Sequence, residues 1–300
     1  MPTCSRSAGR STRISWGSAS STHGNSAGPT PASGRGGRER GRLAAAPRVC
    51  VVIPTYNHFA YARAAVRSLV RHAPRGATVE HIVVDDCSPE WDAVDWRTWP
   101  GGGRRVRFGR RGGLTRSWNA GLRFAFERRS DYVVCTNSDV LFSPGWFEPL
   151  VDALESGLDL VGPVSNAPGH AAAQDVRLYL DAPSELDDSA RSIGATARAL
   201  RGKAPLRSRI NGFFMMARTG VWRAGRYSRR CVFDPACRMA GNEDELQARW
   251  SALGRTAGIA TASYIFHYRS VSRPEGLQVR SAAGAYRPGI GVLDAFPPRG

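Results

Sequence analysis

Val133-Val134-Cys135-Thr136-Asn137-Ser138-Asp139-Val140 is an apolar, β-branched run that closes on an acidic tip. It reads as a buried strand that surfaces and delivers one carboxylate, Asp139, at its carboxyl end. Open parallel α/β sheets bind ligands at that end of their strands. A second junction of the same form is His81-Ile82-Val83-Val84-Asp85-Asp86-Cys87-Ser88. Two acidic tips, each after a short apolar strand, predict an acidic cleft along one sheet edge, suited to a nucleotide and a metal ion.

The flanking chain supplies the rest of such a sheet. Residues 48–53 form a continuous apolar run, as in strands buried on both faces, and Pro54 is expected to stop it. Asn57 is expected to cap a helix whose inward stripe is Phe59, Ala62, Ala65, Val66, Leu69 and Val70. Residues 79–84 and 106–108 read as strands, and 91–103, with three tryptophans and three glycines, has no assignable pattern. Gly112-Gly113 precede a helix over 115–128 that buries Leu114, Trp118, Leu122, Ala125 and Phe126. A helix over 146–154 and a strand over 158–164 follow Asp139. Residues 169–203 are polar and helical in parts, and 210–217 is again strand-like. A helix over 242–253 turns Leu246, Trp250 and Leu253 inward, and 264–268 is the last strand. This alternation predicts an α/β fold with a mostly parallel sheet flanked by helices.

The 300 residues, 42% apolar, suffice for one large core. No apolar run approaches the roughly 20 residues of a membrane-spanning helix, and the first 40 lack the apolar centre of a signal peptide, so a cytoplasmic protein is expected. Residues 1–47 are rich in Ser, Gly, Arg, Ala and Pro and predict a disordered arm, with a Gly- and Pro-rich tail over 271–300. The first 48 residues hold eight arginines and one glutamate, a balance of +7, which leaves +10 of the total +17 spread over the remaining chain. That diffuse surplus is no nucleic-acid footprint, and no nucleic-acid partner is expected. Six cysteines (4, 50, 87, 135, 231, 237) form no CxxC pair and read as reduced, mostly buried thiols. Cys231, Cys237 and His267 fit no common zinc spacing.

Five pieces in order, Val51-Val52-Ile53-Pro54-Thr55-Tyr56-Asn57, Val84-Asp85-Asp86-Cys87-Ser88, Asn137-Ser138-Asp139, Asn242-Glu243-Asp244 and His267, resemble the signature of inverting family 2 glycosyltransferases of the GT-A (Rossmann-like) fold. The resemblance covers about residues 48–270. It implies that Thr55 and Tyr56 meet the nucleotide base, and that Asp86, with Asp85, meets the base or ribose. Arg116 and Asn119 resemble the helix that closes over the nucleotide, and Ser138 is counted with these contacts. It further implies that Asp139 ends a DxD-like motif holding a divalent cation on the diphosphate, with His267 as a second ligand. Asn137 replaces the motif's first Asp, so it contributes an amide and no charge. Asp244 is implied as the base that takes the acceptor proton, with Glu243 beside it, while Asn166 and Asn211 line the sugar or acceptor side.

The elementary chemistry agrees. A leaving diphosphate needs its charge neutralised, which a hard cation held by few carboxylates does, and imidazole with carboxylate suits manganese at least as well as magnesium. The expected activity is metal-assisted transfer of a sugar from a nucleoside diphosphate sugar to a saccharide, lipid-linked or protein acceptor. A lipid-linked acceptor would imply peripheral contact with the inner membrane face. Two other readings compete: a sugar-phosphate nucleotidyltransferase, which would want a Gly-rich basic first loop that Pro54-Thr55-Tyr56-Asn57 does not provide, and a non-catalytic nucleotide-sugar-binding protein.

Overall fold

The computed structural model describes residues 45–182 and 184–269. The expected N-terminal arm up to residue 44 and the tail from residue 270 lie outside the described residues. The element order is β1 (Arg48–Thr55), α1 (Phe59–Arg71), β2 (Thr78–Asp85), β3 (Arg104–Arg107), α2 (Leu114–Glu127), β4 (Tyr132–Thr136), β5 (Val140–Phe142) and α3 (Glu148–Glu155). It continues with β6 (Leu160–Val164), α4 (Ala190–Ala199), β7 (Leu206–Arg207), β8 (Phe214–Arg218), α5 (Thr219–Ala224), α6 (Asn242–Ala252) and β9 (Ala257–His267).

The strands form a sheet in the order β3-β2-β1-β4-β8-β6-β9-β5, with β7 added beside β9. β3, β2, β1 and β4 run parallel, as does β6 with β9. β8, β5 and β7 are antiparallel to their neighbours, so the sheet is parallel in its first half and mixed in its second. Alternate side chains of β1 feed two separate cores. Cys50 and Val52 join Trp118 and Leu122 of α2, whereas Val49, Val51 and Ile53 join Phe59, Val66 and Leu69 of α1. Both faces are covered by helices, which is why these strands are continuously apolar. Gly121 sets how closely α2 approaches: a Cβ there would lie 2.1 Å from Val52 Cγ1.

Several local expectations are corrected. β1 does not stop at Pro54 but runs to Thr55, because the fixed φ of proline suits extended backbone and Pro54 stays in register with Val84. Asn57 does not cap α1. It sits at φ 54° ahead of His58 at φ 53°, which occupies the cap position without a side-chain bond, while the Asn57 backbone N–H donates to Ser88 Oγ at 2.7 Å. Val70 and Leu253, assigned inward, are 43% and 60% exposed, each lying at or just past the end of its helix's buried stripe. Residues 89–102 fold into three short 3-10 turns that gather Trp91, Trp96 and Trp99 around Phe59. The opening of β9, Ala257-Gly258-Ile259-Ala260, carries little bulk and gives no strand signal, yet it pairs in parallel with β6. Of the cysteines described, none is in a disulfide, and Cys50 and Cys135 are buried in the core, where burial raises the Cys50 thiol pKa to about 12.

Candidate functional site

The parallel half of the sheet brings the carboxyl ends of β1 and β2 level, with Thr55 opposite Asp85. β4 ends beside them at Thr136, and the chain passes through Asn137-Ser138-Asp139 before β5 turns back against β9. The β5–β9 register pairs Val140 with His267, which seats Asp139 next to the histidine. His267 Nε2 is 3.4 Å from Asp139 Oδ1 and 3.4 Å from Asn137 Nδ2. Its ring stacks on Phe213 at 4.9 Å with 15° between planes, and its Nδ1 is 3.0 Å from the Ala167 carbonyl oxygen. A carbonyl can only accept, so Nδ1 carries a proton, and in the neutral ring the Nε2 lone pair faces the carboxylate.

This donor set fits a divalent cation. A carbonyl that fixes the tautomer is the usual outer support of a metal-ligating imidazole. The imidazole and the carboxylate oxygen lie 3.4 Å apart with side chains only 6% and 9% exposed, so a cation between them would sit in a nearly closed setting. The Asn137 amide shares the spot and would offer its oxygen after a half-turn of the side chain. Asn166 completes the support, since its Oδ1 accepts from the His267 backbone N–H at 2.8 Å and its Nδ2 donates to the His267 carbonyl at 3.1 Å. Both polar atoms of Asn166 therefore hold β9 in place.

The residues expected around the nucleotide are arranged in two ways. Asp85 is fully buried and accepts from the Ser88 backbone at 2.9 Å and from the Ser88 hydroxyl, with Arg107 Nε 3.8 Å away. Asp86 accepts from the amides of Gly112 and Gly113 at 2.7 and 2.8 Å, one on each oxygen, and thereby pins the turn into α2. That turn is tight: Gly113 has φ 93°, and a Cβ on it would lie 2.5 Å from the Arg238 carbonyl oxygen. Asn119 accepts from the amides of Val232 and Phe233 and donates to the Phe233 carbonyl, so it holds that segment. Thr55 Oγ1 donates to the Asn57 carbonyl at 3.1 Å. Tyr56 and Arg116 are partly open. The Arg111 guanidinium, which gave no sequence signal beyond its place before Gly112-Gly113, lies 3.8 Å over the Tyr56 ring, and Arg116 lies 3.7 Å over Phe108. Ser138 is half-buried between Asn137 and Asp139.

A second cluster sits at the start of α6. Gln247 donates to the Ile210 carbonyl and accepts from the Ile210 amide, both at 2.8 Å, and so clamps residues 209–211 against the helix. Arg209 Nη2 thereby reaches Asp244 Oδ1 at 2.7 Å, with His170 Nε2 3.7 Å from the same oxygen. Asn211 Oδ1 accepts from the Phe213 amide at 3.0 Å, which turns its Nδ2 toward His170 Nδ1, also at 3.0 Å. An amide nitrogen only donates, so in neutral His170 the proton is on Nε2, facing Asp244. Glu243 lies under Gly212, and its carboxylate comes within 4.8 Å of ligating atoms of both His170 and Asp244. This is the one group of three or more His, Cys, Asp and Glu residues with metal-ligating spacing among the described residues, so Cys231, Cys237 and His267 are not brought together. The route from Asp244 through His170, Asn211 and Phe213 ends on the His267 ring, which links the two clusters by direct contacts. Arg209 and His170 stand in segments with no periodicity, which is why pattern reading passes over them.

A parallel half-sheet with acids at its strand ends, joined to a mixed half that returns a histidine to the same edge, is the GT-A architecture. Residues 50–224 match the model of glycosyl transferase family 2, and the chain belongs to that family. Among solved structures it is similar to the crystal structure of GalNAc-T7 with UDP, GalNAc and Mn2+, at 17% identity and a TM-score of 0.55. The match covers 75% of this chain and 44% of that one, so the chain spans less than half the length of this relative. No curated protein matches it. Among the described residues no helix is long and apolar enough to cross a membrane.

Proposed function

We propose that this chain transfers a sugar from a nucleoside diphosphate sugar to a hydroxyl of a saccharide, lipid-linked or protein acceptor, with inversion and with help from manganese or magnesium. The observation that carries the reading is the meeting of Asp139 and His267 at the strand ends, with Nε2 facing Oδ1 at 3.4 Å in a nearly closed setting and Nδ1 held by the Ala167 carbonyl. Asp139 and His267 would hold the cation, supported by Asn137. When bound, the cation supplies positive charge to the departing diphosphate.

The remaining chemistry belongs to side chains of this chain. Tyr56, with Arg111 stacked on it, offers an aromatic and cationic surface beside the strand ends for the nucleotide. Asp86 shapes the loop that closes this side. Asp244 takes the acceptor proton as the acceptor oxygen bonds to the anomeric carbon and the bond from that carbon to the diphosphate oxygen breaks. Attack from the face opposite the leaving group gives inversion. Arg209 and His170 hold Oδ1 of Asp244, which orients the carboxylate.

The test is calorimetric titration of the purified chain with UDP, GDP, CDP and dTDP, with and without manganese. Manganese-dependent binding of one nucleotide, lost in Asp139→Asn, is the expected result. A folded protein that binds none of the four contradicts the proposal.

A further inference from the structure

Arg209 lines two cavities. One, of about 290 Å³, is bordered by His170, Ile210 and Asp244. The other, of about 370 Å³, is bordered by Arg207, Arg209, Gln247, Trp250, Ser251 and Arg255, among others. Ser208 and Arg209 belong to both, so the two form neighbouring parts of one groove. α6 is its floor: Asp244, Gln247, Ala248 and Ser251 recur at the spacing of a single helix face, about 10 Å from the first to the last.

The far cavity has a definite chemistry. Three arginines, Arg207, Arg209 and Arg255, are among the residues that line it, and no acidic residue among the described ones is. Arg255 is held in place, 3.4 Å from Asp159 and 5.6 Å over the Trp250 ring. Arg207 is carried on β7, whose pairing with β9 sets it opposite Gly258. Arg209 and Arg255 each hold one carboxylate through a single nitrogen, Nη2 on Asp244 and Nη1 on Asp159, and a guanidinium has further N–H donors of the kind a phosphate accepts. The volume falls within the range of small-ligand sites.

We propose that this cavity is an acceptor subsite that binds a phosphate group, so that the acceptor is a phosphate-bearing saccharide whose reacting hydroxyl reaches Asp244 at the other end of α6. The inference rests on Asp244 as the base of the proposed transfer. The phosphate can belong to a soluble sugar phosphate or to a lipid-linked saccharide, and the cavity recognises what these share.

Titration of the full chain with inorganic phosphate, in a metal chelator so that the Asp139 site does not contribute, tests it directly. Wild type and Asp139→Asn are expected to bind phosphate alike, and the double variant Arg207→Gln, Arg255→Gln to bind at least about tenfold more weakly. A cooperative thermal melt of the double variant like that of wild type confirms that it is folded; should it not fold, Arg207→Gln alone, at an exposed position, is expected to weaken phosphate in the same direction. Absence of phosphate binding in wild type, or equal binding in the folded variant, overturns the subsite whether or not nucleotide binds at Asp139. Co-sedimentation with phosphatidate vesicles but not with phosphatidylcholine vesicles, lost in the double variant, identifies a lipid-linked source. Phosphate binding without vesicle binding identifies a soluble one.

Discussion

Arg209 Nη2 and Asp244 Oδ1 are 2.7 Å apart, and the contact uses one oxygen of a half-exposed carboxylate at the first turn of α6. A guanidinium on one oxygen fixes the plane of the group and leaves the other oxygen to meet the acceptor hydroxyl. A carboxylate so held is suited to receive a proton from an incoming hydroxyl. Asp244→Asn keeps the shape and removes the basicity, so kcat is expected to fall by about 10² to 10⁴-fold while nucleotide affinity stays the same. Steady-state kinetics beside calorimetry reads both. A variant that retains substantial turnover removes Asp244 from the role of base.

Asn137 sits at the same distance from His267 Nε2 as Asp139 does, 3.4 Å, yet it brings no charge. Asn137→Asp would add a second carboxylate to the pair already there. Manganese affinity is expected to rise by about tenfold, because ligand charge sets affinity for hard cations, while the metal-free protein loses stability through carboxylate repulsion. Manganese titration followed by electron paramagnetic resonance, with a thermal melt in chelator, measures both effects. Unchanged manganese affinity would show that residue 137 is not beside the ion.

The pairing of Asp86 with Gly112 and Gly113 gives a third test. Asp86 is nearly fully buried, and its loss strands two amide donors in the turn that starts α2. Asp86→Ala is expected to lower folding stability by about 3 kcal/mol, read by denaturant unfolding. A variant as stable as wild type that only loses nucleotide would place Asp86 against ligand instead.

The parts of this structure that could be read from sequence are those whose side chains repeat. β1, β2, β4 and β6 are apolar because both faces are covered, and α2 and α6 carry a buried stripe starting near a glycine or acidic turn. Asp139 and His267 were legible as strand-end residues, although their contact depends on the β5–β9 register, which three residues of β5 could not announce. Pattern does not convey which polar side chains serve the backbone. Asp86, Asn119 and Asn166 look like ligand contacts in a motif, yet their polar atoms hold a turn, a segment and a strand. His170 and Arg209 were missed for the converse reason. They lie in aperiodic chain and gain their position only because Gln174 and Gln247 bond the backbone around Ile210 and Asn211.

His81 makes the stability of the fold depend on pH. It is buried at the edge of β2 against Gly101 and Gly103, and its Nε2 has no hydrogen-bond partner among the described residues. Burial disfavours the charged ring and lowers its pKa from 6.5 to about 4. Between these values the unfolded chain binds a proton that the folded chain does not, so stability rises with pH there and falls on acidification. The loss begins near pH 6.5, is complete near pH 4, and amounts to about 3 kcal/mol. Denaturant unfolding at several pH values should show this slope in wild type, and His81→Leu, which cannot take up the proton, should flatten it. An equal slope in that variant would assign the acid sensitivity to other groups.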